Sequence, residues 1–435
     1  MDDRETSYSI LYECYEEGAF SNLALGKSGI SDFVRASVYG TLTYTYSEDY
    51  IIRQVSGKDI ESFDPVVRTI LRFGTWQILF SDKVPDYAAV DTSVRLAKVH
   101  KPKASGLVNA ILHKVVMLPS EKRDMSSYKS PDAAFSLKPE IYGVIKKSYG
   151  KERAPLIAKA LLSPAPLSIR VNTLKTDTFS LRKVLESEGF GTEPASFMKD
   201  ALILRPSSVS PLINNSKAYA DGLFMVQGEG AQLASVIADP KPGMKILDCC
   251  SAPGGKTTHI AQMSCDKAKI TALDINSSRI KLVEENARRL GISCISTQEA
   301  DSSSYKDDKA FDIVLVDAPC SGLGIMGGKP DIRLTITYDR IEQIIQRQKL
   351  ILDNIARSVK PGGKLVYSTC TINRSENEDQ VFDFLSRNND FELYDFDNLL
   401  PESLKSRGGE GMITLLPDED RCEGFFISGL RRKYD

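Results

Sequence analysis

Histidine is scarce in this chain, with three in 435 residues, and there is a single tryptophan. The eight cysteines are scattered. Only Cys249-Cys250 form a close pair, and no Cys-x-x-Cys spacing occurs, so the usual structural zinc frameworks are excluded. No apolar run approaches the roughly 20 residues that a membrane-spanning helix needs. The opening Met1-Asp2-Asp3-Arg4-Glu5 is acidic and lacks the apolar core of an export signal. A reduced, cytoplasmic setting is expected. Neither Gly-x-Gly-x-x-Gly nor a Walker loop is present, which disfavours a phosphate cradle. There is no internal repeat and no low-complexity tract.

What is present is an ordinary globular composition, 42% hydrophobic and 26% charged. The length calls for two or three domains. The net charge of −2 hides an asymmetry. Between Arg95 and Lys183 lie 18 Lys/Arg and 6 Asp/Glu, whereas the remainder holds 38 basic and 52 acidic residues. A basic segment inside an acidic protein fits either a docking surface for a polyanion or a solvated, lysine-rich face.

Residues 1–125 read as an all-helical domain. Apolar positions recur at helical spacing in Val34-Ala36-Val38-Leu42, in Val67-Ile70-Leu71-Trp76-Leu79 and in Leu107-Val108-Ala110-Ile111. Trp76 is expected in the core. Residues 119–135 are polar and read as a linker. Residues 126–212 read as a small α+β domain, with helices near 139–149 and 153–162 and an alternating strand at Leu167-Ser168-Ile169-Arg170-Val171-Asn172. From 213 to 435 strands and helices alternate, which predicts a Rossmann-like, doubly wound parallel sheet with helices on both faces.

Two cysteines stand where strands of that sheet would end. Asp317-Ala318-Pro319-Cys320 follows the apolar run Ile313–Val316, and Ser368-Thr369-Cys370 follows Lys364–Tyr367. In open α/β sheets ligands bind outside the carboxyl ends of the strands. Two thiols there point to attack by one sulfur with a second acid–base group assisting release. A third strand, Lys245–Asp248, runs into Cys250-Ser251-Ala252-Pro253-Gly254-Gly255-Lys256-Thr257, a turn that lets backbone approach a ligand. Asp274 and Asp301 end later strands and could bind ribose hydroxyls and an adenine amino group. Carboxylates suit a positively charged ligand without phosphate, which describes S-adenosylmethionine. Each Asp alone would read as a helix cap or turn residue.

The 250–257 loop resembles the cofactor loop of the RNA 5-methylcytosine methyltransferases. Asp317–Gly324 and Tyr367–Thr371 resemble that family's two cysteine motifs, and Pro330-Asp331-Ile332, Glu376-Asn377-Glu378 and Gly424-Phe425-Phe426 match further segments. Val34-Arg35 to Leu42, Val67 to Arg72, Pro85 to Val90 and Leu107 to Leu112 resemble the NusB-like domain fused to one branch, the RsmB (Sun/Fmu) group. The resemblance covers nearly the whole chain. It implies methylation of carbon 5 of a cytosine in bacterial 16S rRNA with S-adenosylmethionine as cofactor and no metal. It implies Cys370 as the nucleophile that adds to carbon 6, Cys320 as the release residue, and Asp317 at the base edge. Cys250, Ser251, Ala252, Pro253, Gly254, Gly255, Lys256, Asp274, Asp301 and Asp317 would line the cofactor. Lys256, Arg170 and Asn172 would contact RNA, whose target base must be unpaired or flipped out. Arg170 reads equally as a surface residue packing its stem. A monomer is the default expectation.

The chain departs from the family at Gly327-Gly328-Lys329, where arginines are usual, and at Leu334, where an aromatic is common. The segment Gln227–Ala231 is richer in glycine than usual, and Pro139-Glu140-Ile141 lacks the usual tryptophan. Cys249 and Cys250 also read as packing residues, and Cys14, Cys265, Cys294 and Cys422 as structural. His259 reads as solvated. Ser375 and Glu378 read as a capping box. Two other functions use the same residues: the same chemistry on a tRNA or on DNA, where the nucleophile would be the Pro-Cys cysteine Cys320, and a non-catalytic NusB-like RNA-binding protein.

Overall fold

The computed structural model describes residues 2–26, 30–205 and 213–434. The chain forms two compact units, Met1–Pro164 with Met326–Tyr338, and Ala165–Ile325 with Asp339–Asp435. Among the described residues no helix is long and apolar enough to cross a membrane.

The first unit is helical. Its main helices are Asp3–Glu16, Asp32–Ser56, Pro65–Leu79, Asp86–His100, Ser105–Val116 and Pro139–Ala160. Their ends follow local chemistry. Ser31 caps the second helix through its hydroxyl, and Asp64 caps the third, which opens on Pro65. Leu11, Val38, Leu42, Ile51, Ile70, Phe73 and Leu112 form the core, and Trp76 is buried there as expected. Residues 119–135 are not a linker. They hold the helical turns Ser120–Arg123 and Pro131–Phe135, and Ala133 and Ala134 are buried. The helical stretches near 139–149 and 153–162 join at Gly150 and belong to this unit. By compactness, residues 126–164 thus group with the helical unit, whereas the sequence reading places them with the small α+β domain. The division expected at 212 lies outside the described residues.

The segment 326–338 leaves the sheet domain in sequence and folds into this helical unit. Arg333 is fully buried and donates to the carbonyl oxygens of Phe135 at 3.1 Å, Ser136 at 3.0 Å and Leu161. Asp331 accepts from the Ser21 amide at 3.0 Å and the Ser21 hydroxyl at 2.7 Å. Leu334 packs against the helical core. A Cβ on Gly327 would lie 2.0 Å from the Ser163 carbonyl oxygen, so this backbone leaves no room for a side chain at that position.

The second unit holds two sheets. The smaller is antiparallel, in the order β2-β3-β1-β4, from β1 (Leu167–Val171), β2 (Gly191–Pro194), β3 (Ala201–Arg205) and β4 (Phe224–Val226). Helix Thr178–Ser187 packs Leu181 and Leu185 against Ile169, Val171 and Phe224.

The larger sheet uses β5 (Lys245–Asp248), β6 (Lys269–Asp274), β7 (Ile295–Glu299), β8 (Phe311–Asp317), β9 (Val359–Thr369), β10 (Phe391–Leu393), β11 (Met412–Leu415) and β12 (Phe425–Arg432). The order is β10-β12-β9-β8-β5-β6-β7, with β11 paired to β12. Strands β5 to β9 are parallel, whereas β12 runs antiparallel to β9, and β10 and β11 run antiparallel to β12. The sheet is thus mixed, not purely parallel, because the C-terminal hydrophobic run returns as an edge hairpin. Successive residues face opposite sides. Ile313 and Leu315 pack with Leu233, Ile260 and Leu290, while Val314 and Val316 pack with Ile351, Leu352 and Phe384. Helices therefore cover both faces, as the alternation predicts.

Replacing Arg333 by Met leaves three carbonyls, those of Ser136 and Leu161 in buried residues, without this donor. The expected loss is about 3 kcal/mol, read as a lower urea midpoint. Limited proteolysis should acquire a cleavage within 326–338.

Candidate active site

Strand register builds the site. In the parallel β8–β9 pair Asp317 stands opposite Ser368, and the Ser368 hydroxyl donates to Asp317 Oδ1 at 3.0 Å. Both strands end there, so the two following loops emerge side by side. Cys320 and Cys370, 50 residues apart in sequence, meet with Sγ atoms 3.2 Å apart. Neither is in a disulfide. The contact with Cys370 first, then burial, pushes the Cys320 thiol well above its ordinary value. Two thiols this close share one proton more readily than they lose two.

The loops also interlock through backbone. The Gly324 amide donates to the Cys370 carbonyl at 3.1 Å, and the Gly424 amide to the Gly324 carbonyl at 2.9 Å. A Cβ on Gly324 would sit 2.1 Å from the Gly424 carbonyl oxygen, so the start of β12 can approach the cysteine loop only with glycine there.

The Lys256 ammonium lies 2.7 Å from Asp317 Oδ2 and 4.9 Å over the Phe425 ring. The helix Gly255–Met263 presents this lysine from the end of β5. Behind it Asp248 is fully buried. Its Oδ2 accepts from the Thr257 hydroxyl at 2.6 Å, and its Oδ1 has no partner among the described residues. Burial, opposed in part by Thr257, pushes this carboxyl up to about 7.

Residues 250–256 form the turn after β5, with Gly254 in the left-handed region at φ 98°. Asp274 ends β6, is 3% exposed, and accepts from the Asn276 amide at 3.1 Å. Asp301 follows β7. Its Oδ1 accepts from the Ser303 amide, the Ser303 hydroxyl and Arg347 at 2.6–2.8 Å. Burial alone would raise Asp301, but Arg347 and Ser303 outweigh it and hold the carboxyl below its ordinary value. The structure thus places Cys320, Cys370, Asp317, Lys256, the 250–256 turn, Asp274 and Asp301 at the carboxyl ends of adjacent parallel strands.

Arg170 and Asn172 are elsewhere. Each is 1% exposed. Arg170 donates to Gln262 at 3.2 Å, Thr258 at 3.0 Å, the Gly255 carbonyl at 2.7 Å and Gln227. Asn172 donates to the carbonyls of Gly222 at 2.8 Å and Leu290 at 2.9 Å. Their donors are consumed in fastening the small sheet to the large one, so the expected RNA contact is corrected: neither side chain is presented to a ligand. His259 is also corrected. It is buried, and burial followed by the Arg170 charge holds its imidazole well below the usual value. Ser375 is not a helix cap. Asn373 accepts from its amide, and Asn377 occupies the N-cap before Glu378–Arg387. Residues missed by sequence reasoning are Asp248, Ser368, Arg347, Phe425 and Glu376. The last two lie in the quoted C-terminal Gly-Phe-Phe and Ser-Glu-Asn-Glu words, whose chemistry is invisible until the loops meet.

Three family descriptions match along the chain: NusB family over residues 1–117, a ferredoxin-like domain of RsmF/B-like methyltransferases over 141–210, and 16S rRNA methyltransferase RsmB/F over 235–431. "Probable ribosomal RNA small subunit methyltransferase B" of Bacillus subtilis is 32% identical, covering 99% of this chain and 98% of its own. The chain belongs to the RsmB family of 16S rRNA methyltransferases. Ribosomal RNA small subunit methyltransferase B of Vibrio cholerae is likewise 32% identical, over 91% of this chain and 88% of its own. Among solved structures, NSun6 from Pyrococcus horikoshii with SFG is 25% identical, with a TM-score of 0.60 over 68% of this chain and 99% of that one. PH0851 shares the fold over 98% of both chains, with a TM-score of 0.81 at 24% identity. The all-α NusB-like, ferredoxin-like and Rossmann-like parts of an RsmB-family enzyme are thus all present.

Two predictions follow from the buried charges. With its folded pKa near 7, Asp248 keeps a proton between pH 4 and 7 that the unfolded chain has lost. Its contribution to stability is therefore full in acid and declines as pH rises through that window. Asp248→Asn removes this decline, so its urea midpoint relative to the parent should rise between pH 5 and pH 8. Arg170→Met should lower stability yet leave the salt dependence of RNA binding unchanged, whereas loss of a phosphate contact would reduce the slope by about 1.

Proposed function

We propose that the chain transfers a methyl group to carbon 5 of a cytosine in 16S rRNA, with S-adenosylmethionine as donor. The observation that carries the reading is the 3.2 Å pair of thiols beside the Lys256–Asp317 ion pair at the ends of β8 and β9. Family membership supports rRNA as the substrate class.

The donor set fits the cofactor. Asp274 and Asp301 offer carboxylate acceptors at successive strand ends, and Ser303 and Arg347 both bond Asp301 through Oδ1. The 250–256 turn would hold the amino-acid part, Asp274 the ribose and Asp301 the adenine. The NSun6 relative was solved with SFG, an analogue of that cofactor. When bound, S-adenosylmethionine supplies an electrophilic methyl group.

Carbon 5 of cytosine is a poor nucleophile. Cys370, as thiolate, adds to carbon 6, so that its electron pair forms the S–C6 bond and the ring electrons become available at carbon 5. The Lys256–Asp317 pair faces the base edge and orients it. After methylation the carbon 5 proton passes to solvent, its electron pair re-forms the ring double bond, and Cys370 leaves as thiolate. The Cys320 thiol, 3.2 Å away, hydrogen-bonds that leaving thiolate. The target base enters unpaired or flipped, at a few kcal/mol.

The deciding experiment is a denaturing gel of Cys320→Ala with S-adenosylmethionine and unmodified 16S rRNA. A covalent protein–RNA band is expected there and none with Cys370→Ala. A band with Cys370→Ala alone would make Cys320 the nucleophile. A band with a tRNA pool but not 16S rRNA would keep the chemistry and overturn the substrate.

A further inference from the structure

One buried carboxylate ties the two cysteine loops together. Glu376 is fully buried in the short turn Arg374–Glu376. Its Oε2 accepts from the Ser321 amide at 2.7 Å and from Gln348 Nε2 at 3.2 Å. Its Oε1 accepts from the Ser321 hydroxyl at 2.5 Å, Asn373 Nδ2 at 3.1 Å and the Thr371 hydroxyl at 3.3 Å. Ser321 follows Cys320 directly, and Thr371 follows Cys370 directly. Their hydroxyls also meet at 2.8 Å. Gln348 extends the network to the Pro319 carbonyl at 3.0 Å, on the other side of Cys320. The Tyr367 hydroxyl donates to the Glu376 carbonyl at 2.7 Å, anchoring the turn to β9.

Donors thus converge on one carboxylate from three segments, and two of them are the immediate neighbours of the thiols. Glu376 does not cap the following helix, because Asn377 holds that position. Burying a carboxylate is expensive unless its lone pairs are filled, and here four of the five donors belong to the two loops themselves. A break in the network therefore moves the loops before it does anything else. We propose that Glu376 is a positioning residue that sets the spacing of Cys320 and Cys370, and thereby the chemistry of the pair. The proposal rests on the reading of these thiols as nucleophile and release group. The Glu376 charge also helps to hold the Cys320 thiol up, after the Cys370 contact and burial.

The test uses the full chain with Glu376→Ala, Glu376→Gln and Thr371→Val, the last removing one arm while leaving the carboxylate in place. Two readouts are taken. In methyl transfer to unmodified 16S rRNA, kcat should fall about 100-fold for Glu376→Ala, the usual effect of a 1 Å misplacement. KM for RNA and for S-adenosylmethionine should stay within about threefold of the parent. Glu376→Gln, which keeps one acceptor oxygen, and Thr371→Val should lose about tenfold. The second readout needs neither RNA nor cofactor. Phenylarsine oxide condenses with two nearby thiols, forming two As–S bonds and releasing water, and peptide mass mapping locates the bridge. The parent should be bridged between Cys320 and Cys370, and Glu376→Ala and Thr371→Val at least tenfold more slowly.

Bridging and kcat at the parental level in Glu376→Ala and Thr371→Val overturn the proposal. A rise in KM with unchanged kcat does so too, since it would make Glu376 part of a binding surface. If the parent transfers no methyl group yet its bridging still depends on Glu376, the positioning role stands and the proposed function falls. If Glu376→Ala does not fold, Thr371→Val decides by the same two readouts.

Discussion

The site depends on a single strand register. Asp317 pairs with Ser368 across two parallel strands that are buried on both faces. Val314 and Val316 face one helical layer, and Ile313 and Leu315 the other. A slip of one residue would turn each set to the wrong side, so the hydrophobic pattern fixes the pairing. That pairing delivers two thiols from distant parts of the chain to within 3.2 Å. The loops add their own constraints through Glu376 and the Gly324–Gly424 contact, but they begin from strand ends already aligned.

Around this register the protein buries several charges in unusual company. Arg170 and Arg333 lie in the interior and are solvated by carbonyl, amide and hydroxyl oxygens, without a carboxylate partner among the bonds they make. Burial lowers both guanidinium pKa values, to about 9 and about 10. Asp248 and Glu376 are their counterparts of opposite sign. A buried group of this kind is tolerable only while its hydrogen bonds are complete, which makes each one a rigid pin in the place where it stands. Arg170 pins the small sheet beneath the helix that carries Lys256. Arg333 pins the 326–338 segment into the helical unit.

Much of this was legible in the residues. Apolar runs ending in Asp317 and Thr369 marked strand termini, and a parallel sheet gathers its strand termini at one edge. The 250–256 turn, Asp274 and Asp301 follow from the same rule. The mixed edge was not legible, because Phe425–Arg432 is an apolar run whose direction depends on which neighbour it finds. Arg170 and Asn172 misled because a basic strand on a small domain looks like a surface. Only the packing of that domain against the Gly255–Met263 helix shows the guanidinium turned inward. Helical periodicity described residues 139–162 correctly, but it carries no information about which core a helix joins. The capping-box spacing at Ser375–Glu378 was met in sequence and not in space, since the turn there is tightened around Glu376.

The excursion of 326–338 has a consequence for synthesis. The helical unit is built from a first stretch ending at Pro164 and a second beginning at Met326. A ribosome adds roughly 5–20 residues each second, so the second stretch emerges about 10–30 s after the first. Throughout that interval the pocket that receives Arg333 has exposed carbonyls and no guanidinium. The nascent N-terminal bundle therefore waits, incomplete, for a segment encoded deep inside the catalytic domain. The first 164 residues thus do not specify a finished fold by themselves, and a break between the two stretches would leave the helical unit without its last segment.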